Sequence, residues 1–140
     1  MPTDAREITG WFYSRGVDAS DKAFIEQVGI AGKGDEAGRL IAQLPGGRTE
    51  YGRSPIQRWQ WHRVLVSRSL NRFEVFLDGH EQPEISVAID PQSAGEKAAS
   101  GAAADTELFF GGSSFGDANW EGRLDEIAIL PEPPTGPDQP

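Results

Sequence analysis

The feature that most constrains this chain is a run of two-residue alternation between Trp61 and Gly79. Val64 and Val66 alternate with Arg63, Leu65 and Ser67. Phe73, Val75 and Leu77 then alternate with Arg72, Glu74, Phe76 and Asp78. A period of two puts successive side chains on opposite faces of an extended strand, so each set predicts one apolar face turned to an interior. Ser69-Leu70-Asn71 supplies the turn between the two strands. Asp78-Gly79 predicts a second one, because a type I′ turn needs positive φ at both central residues. A hairpin with a single apolar face must bury that face against another layer.

The remainder of the chain reads the same way. Glu7 to Tyr13, Ala23 to Ile30, Arg39 to Leu44, Glu84 to Ile89, Thr106 to Gly111 and Gly122 to Leu130 are predicted strands. In the first, Ile8, Gly10 and Phe12 are expected on one face and Trp11 and Tyr13 on the other. Thr49 to Pro55 reads as a loop or short edge strand. Seventeen glycines and ten prolines in 140 residues favour turns over long helices. Asp90 to Asp105 is an Ala/Ser/Gly loop, with Gly95 and Gly101 each costing a helix about 1 kcal/mol. About nine short strands point to one all-β domain over residues 1–130, an antiparallel two-sheet β-sandwich. Residues 131–140 form a proline-rich tail, an extended linker or end that suggests neighbouring domains of a longer chain.

Composition excludes several classes of partner and chemistry. Thirteen basic against twenty-two acidic residues give a net charge of −9, which repels phosphate backbones and anionic membranes. No nucleic-acid partner and no membrane insertion are therefore expected. No apolar run approaches the roughly 18 residues of a membrane span. The sequence has no cysteine, hence no disulfide and no thiolate chemistry. Met1 to Glu7 carries neither a basic nor an apolar leader region, so no signal peptide is read in this chain.

Four segments together resemble a family. Trp61-His-Arg-Val-Leu-Val with Phe73-Glu-Val-Phe-Leu-Asp-Gly79 is similar to the central hairpin of bacterial laminin-G-like, concanavalin A-like jelly-roll domains. Glu107-Leu-Phe-Phe-Gly-Gly-Ser113 and Trp120-Glu-Gly-Arg-Leu-Asp-Glu-Ile-Ala-Ile129 resemble two later motifs of that family in the same order. Ile8-Thr-Gly-Trp-Phe-Tyr13 resembles its early tryptophan strand. The resemblance spans roughly residues 7–130 and implies a concanavalin A-like jelly roll. It also implies a bacterial, extracellular or cell-envelope setting. The family's strand pair ahead of the Ile8 segment has no counterpart here, which implies an exposed edge or strands supplied by another chain. Fold alone does not fix function.

Candidate sites fall on the loops. In Gly112 to Glu121, Asp117 and Asn119 offer hard oxygen ligands at i, i+2 spacing, which suits calcium. Phe115 and Trp120 offer faces on which a sugar ring could stack. Ordinary turn capping and core filling are the plainer reading of the same residues. Asp125 matches the acidic pair of the last family motif and is the third candidate calcium ligand; orienting a loop is its plainer role. Trp59 and Trp61 lie on one face of an extended chain. Trp61 is expected in the core, whereas Trp59 is either core or a stacking platform. Phe76 is a further candidate on the opposite sheet face.

Catalytic signatures are weak. Glu74 and Asp78 share a face, but four residues at about 3.3 Å each put their Cα atoms about 13 Å apart, beyond the carboxylate spacings of glycosidases. Asp105 and Glu107 lie where a loop enters a strand. His62 and His80 lack the spacing of a metal pair, and Gly29 to Gly34 lacks the pattern of a phosphate loop. The expectation is a non-catalytic recognition module that binds glycan or a protein surface through its rim loops, with calcium as candidate cofactor. A glycoside hydrolase or lyase of the same fold, and a structural spacer in a bacterial surface protein, are the alternatives.

Overall fold

The computed structural model describes residues 8–16, 26–45, 47–89, 107–112 and 120–131. Those residues form eight strands: β1 (Ile8–Arg15), β2 (Glu26–Ala31), β3 (Arg39–Leu44), β4 (Arg48–Pro55), β5 (Val64–Arg68), β6 (Arg72–Leu77), β7 (Ile85–Ala88) and β8 (Leu108–Phe109). Among the described residues the one helical element is a 3-10 turn at Gly34–Glu36. One sheet has the order β4-β3-β2-β1-β8 and the other the order β5-β6-β7. Every neighbouring pair is antiparallel. The molecule is an all-β sandwich of five strands over three.

The alternation in the central hairpin sets its inner face. Phe73, Val75 and Leu77 are buried, as are Ile85 and Val87 of β7. Val28, Leu40, Ala42 and Leu44 from the larger sheet belong to the same cluster, with Val64, Val66 and Ile89 half-buried against it. Phe73 alone, taken from water to full burial, contributes about 2–3 kcal/mol. The hairpin register runs Val64 opposite Leu77 to Arg68 opposite Phe73. At its far end Asp78 has φ 54° and Gly79 φ 74°, and His80 N–H donates to Leu77 O at 3.1 Å. That is the turn the Asp-Gly pair predicts.

Two register shifts in β1 rearrange its aromatics. One lies between Ile8 and Gly10 and the other between Trp11 and Tyr13. A bulge inserts an extra residue and breaks strict alternation. Phe12 and Tyr13 consequently both pack toward the main core, while Trp11 joins Ala31 and Ile41 in a separate cluster. The expected split, with Phe12 on one face and Tyr13 on the other, is corrected by that bulge. Trp11, Gly29 and Ile41 sit side by side across three strands. A Cβ on Gly29 would lie 2.0 Å from Gly10 O and 3.1 Å from Trp11 Cε3, so only glycine fits beneath the indole.

Of the two readings open for Thr49 to Pro55, the edge strand holds, as Arg48–Pro55 at the border of the larger sheet. Two other expectations change. Thr106 to Gly111 contracts to the two-residue β8, which pairs with Ser14 and Arg15. Gly122 to Leu130 forms no strand, and Leu124, Ile127, Ile129 and Leu130 are exposed there. Its residues alternate as a strand should, yet a strand also requires a neighbouring edge, and among the described residues none is paired with it.

The two flanks of the sandwich are closed differently. On one, β4 lies beside β7, and Glu84 joins them. Its Oε1 accepts from the N–H groups of Arg53 (2.8 Å) and Ser54 (2.7 Å), and its Oε2 accepts from the Ser54 hydroxyl at 3.0 Å. Gly52 makes room, since a Cβ there would stand 3.1 Å from Glu84 Oε1. Arg53 also donates to Pro83 O at 2.8 Å and Arg48 to Ala88 O at 3.3 Å. On the other flank, Glu26 of β2 is 1% exposed and its Oε2 accepts from Arg15 Nη1 (3.1 Å) and Arg68 Nε (2.9 Å). Arg68 thereby ties the end of β5 over β2. The larger sheet continues past it through β1 and β8.

Candidate binding surface

The loop between β4 and β5 presents two tryptophans. Trp59 is 98% exposed with φ 65°, and Trp61 is 68% exposed. The expectation that Trp61 fills the core is thus corrected. Strand alternation begins only at Val64, so the inward phase of the strand does not extend back to Trp61. A non-glycine residue in the left-handed region is uncommon and is held there by its surroundings.

Those surroundings are a bracket around His62. His62 Nε2 lies 3.2 Å from both the N–H and the carbonyl oxygen of Gln57, and the Asp78 carboxylate facing Nδ1, which can only accept, puts a ring proton on Nδ1. Nδ1–H then donates to Asp78 Oδ2 at 2.9 Å, and Asp78 Oδ1 accepts from Arg63 N–H at 2.9 Å. Burial pushes the Asp78 carboxyl up, but the hydrogen bonds from His62 and Arg63 outweigh it and hold the group below its ordinary range. Upstream, Ile56 N–H donates to Gly38 O at 2.6 Å. Residues 58–61 therefore project from a base fixed at both ends. Sequence reasoning set His62 aside for lack of a metal partner. Its function as a clamp is foreshadowed only by its position just ahead of a strand whose partner is followed directly by Asp78.

A second candidate region lies at the other end of β1. The Ser14 hydroxyl donates to Gly112 O at 3.0 Å and accepts from Gln27 Nε2 at 3.5 Å. Trp120 N–H donates to Gly111 O at 2.9 Å, so the loop from 112 to 121 leaves and returns through neighbouring residues. Trp120 is half-buried and meets Phe12 edge to face, ring centres 5.5 Å apart. Its Nε1 is buried with no hydrogen-bond partner among the described residues. Phe115, Asp117 and Asn119 lie outside the described residues. Asp125 is exposed, and its Oδ1 accepts from Glu126 N–H at 2.8 Å where Glu126 has φ 53°. Among the described residues no three His, Asp or Glu side chains gather as a metal site would need.

The carboxylates of the first candidate catalytic pair, Glu74 and Asp78, are engaged in structure, while Asp105 of the second lies outside the described residues and Glu107 is exposed. Glu74 Oε2 accepts from the Ser86 hydroxyl at 3.1 Å, which in turn accepts from Arg72 at 2.6 Å, while Asp78 belongs to the His62 bracket. A shallow open cleft of about 500 Å³ lies beside the β4–β7 flank, lined by Arg53, Ser54, His80, Glu81, Gln82 and Glu84. Burial raises the pKa of Glu84, yet the bonds from Ser54 and Arg53 prevail and keep it below its ordinary range. A carboxyl held ionised in that way is poorly suited to donate a proton. Near Glu26, Tyr13 is raised well above the ordinary tyrosine range, by burial first and by the Glu26 carboxylate second. No family model, curated protein or solved structure matches this chain.

Proposed function

We propose that the chain is a non-catalytic recognition module that binds glycan, or a glycan-bearing protein surface, through its exposed tryptophan loop. The observation that carries this reading is Trp59, 98% exposed on a loop held rigid by the His62–Asp78 bracket. Leaving an indole in water forgoes about 2 kcal/mol or more of burial, and a pre-organised aromatic face loses little entropy when a ring stacks on it. Trp61 stands two residues away with Arg58 beside the pair, which suits a hydroxyl-rich ligand with acidic substituents. The resemblance to laminin-G-like, concanavalin A-like domains agrees with this reading, and the jelly-roll assignment and extracellular setting belong to the same proposal.

A glycan array run on the unaltered chain, Trp59→Ala and Trp120→Ala tests it. Loss of about 1.4 kcal/mol, a tenfold weakening, is expected for Trp59→Ala, with its melting temperature unchanged. Equal binding by all three proteins discards the stacking residues. Calcium is the proposed aid to the second loop, through Asp117, Asn119 and Asp125. A thermal melt with millimolar calcium should rise if the ion binds the native state, and a shift below about one degree removes the ion from the proposal.

A further inference from the structure

Among the described residues the outer edges of β4, β8, β5 and β7 have no paired strand, and the β5 edge, with Arg58 and Arg63 at its entry, matches a strand-like acidic segment that is likewise unpaired among those residues. In the β5–β6 hairpin, Asp78 N–H donates to Arg63 O and Ser69 N–H donates to Arg72 O. Antiparallel pairs alternate between bonded and non-bonded, so residues 63, 65, 67 and 69 direct their backbone groups to β6. Val64, Val66 and Arg68 direct theirs away from it, and β5 ends the three-stranded sheet with no neighbour among the described residues. Exposed Trp61 and Leu70 flank this edge. The larger sheet has five strands against three and runs on beyond β5 through β1 and β8.

The segment from Leu124 to Leu130 is the counterpart. Ile127 is 52% and Ile129 66% exposed, and Leu124 and Leu130 are exposed too. Among the described residues its backbone groups make no backbone–backbone hydrogen bond beyond the anchor at Trp120. Glu121, Asp125 and Glu126 are acidic and exposed, whereas Arg58 and Arg63, at the entry to β5, are basic and exposed. No ion pair is formed by any of these five side chains among the described residues. Within one chain no backbone hydrogen bond joins the segment to β5 among the described residues, and its root is held by Trp120 against Phe12 and Gly111.

We infer that a second copy of this chain covers the β5 edge, each copy laying its Ile127–Leu130 segment beside the other's Val64–Arg68. Pairing is parallel, which sets Asp125 and Glu126 beside Arg58 and Arg63. A two-fold axis closes the exchange, so both copies satisfy an edge and a segment at once. A single copy leaves open the kind of strand edge that proteins ordinarily pair or cover.

Light scattering on the intact chain during size exclusion, at about 100 µM so that a micromolar Kd is saturated, tests this without any glycan present. Its outcome is therefore independent of the recognition proposal. Twice the chain mass is expected. Ile129→Asp alters an exposed side chain, and Val66→Pro removes an outward N–H together with a half-buried valine side chain; each should weaken the dimer at least tenfold. An equimolar mixture of the two should regain a heterodimer, since one supplies an intact edge and the other an intact segment. Circular dichroism checks that both variants fold. Should Val66→Pro unfold, a charge swap takes its place: Arg63→Glu weakens the dimer and Asp125→Arg in the same chain restores it. A monomeric unaltered chain, or variants that keep twice the mass, overturns the inference.

Discussion

The two flanks of this sandwich solve the same problem unequally. At the β4–β7 flank the sheets are joined through one carboxylate, with Glu84 only 7% exposed and both its oxygens accepting hydrogen bonds. At the β5 flank Glu26 is more deeply buried, yet among the described residues one of its oxygens has no partner and the outer edge of β5 has no paired strand. Burial depth alone does not make a good joint. What matters is whether every lone pair that leaves water finds a donor.

That contrast can be broken experimentally, and the largest effect should come from the closed flank. Glu84→Ala leaves two backbone N–H groups and the Ser54 hydroxyl without their acceptor, and should lower the unfolding free energy by about 2–4 kcal/mol in urea titrations. Glu26→Ala removes an ion pair to two half-exposed arginines together with an unsatisfied oxygen, so the same titration should register only about 1–2 kcal/mol. An equal or larger loss at Glu26 would reverse the ranking of the flanks.

Acidity sharpens the comparison further. Glu84 titrates lower in the folded chain than its ordinary 4.5. As pH falls the unfolded state takes up the proton first, so the stabilisation is complete above about 4.5 and disappears as pH drops through the folded value. The stability difference between the unaltered chain and Glu84→Gln should therefore be constant near neutrality and shrink below pH 4.5. A difference that grows on acidification would contradict the sign. Smallest of all, Ile129→Ser on the open side should change the stability of the monomer, measured at low concentration, by less than about 0.5 kcal/mol, because the side chain is already in water.

Much of the fold was legible in the sequence. Phe73, Val75, Leu77, Ile85 and Val87 announce their burial by alternation, and Asp78-Gly79 announces its turn, because both signals are local consequences of backbone geometry. Arg39 to Leu44 was bounded correctly for the same reason. The candidate surface was legible only in part. Trp59 was a candidate from composition, but Trp61 was expected inside, since a strand-like run does not reveal where its inward phase begins. Phe12 and Tyr13 were misassigned because a bulge depends on the neighbouring strand.

By itself, then, the sequence determined that the chain is all-β and which faces of its central hairpin and of β7 are apolar. Only the tertiary structure decided which edges meet, that Glu84 closes one flank, that His62 and Asp78 brace the tryptophan loop, and that Leu124 to Leu130 goes unpaired among the described residues. Alternation is dictated residue by residue through φ and ψ, whereas pairing is a choice among distant edges whose energies depend on every other strand already in place.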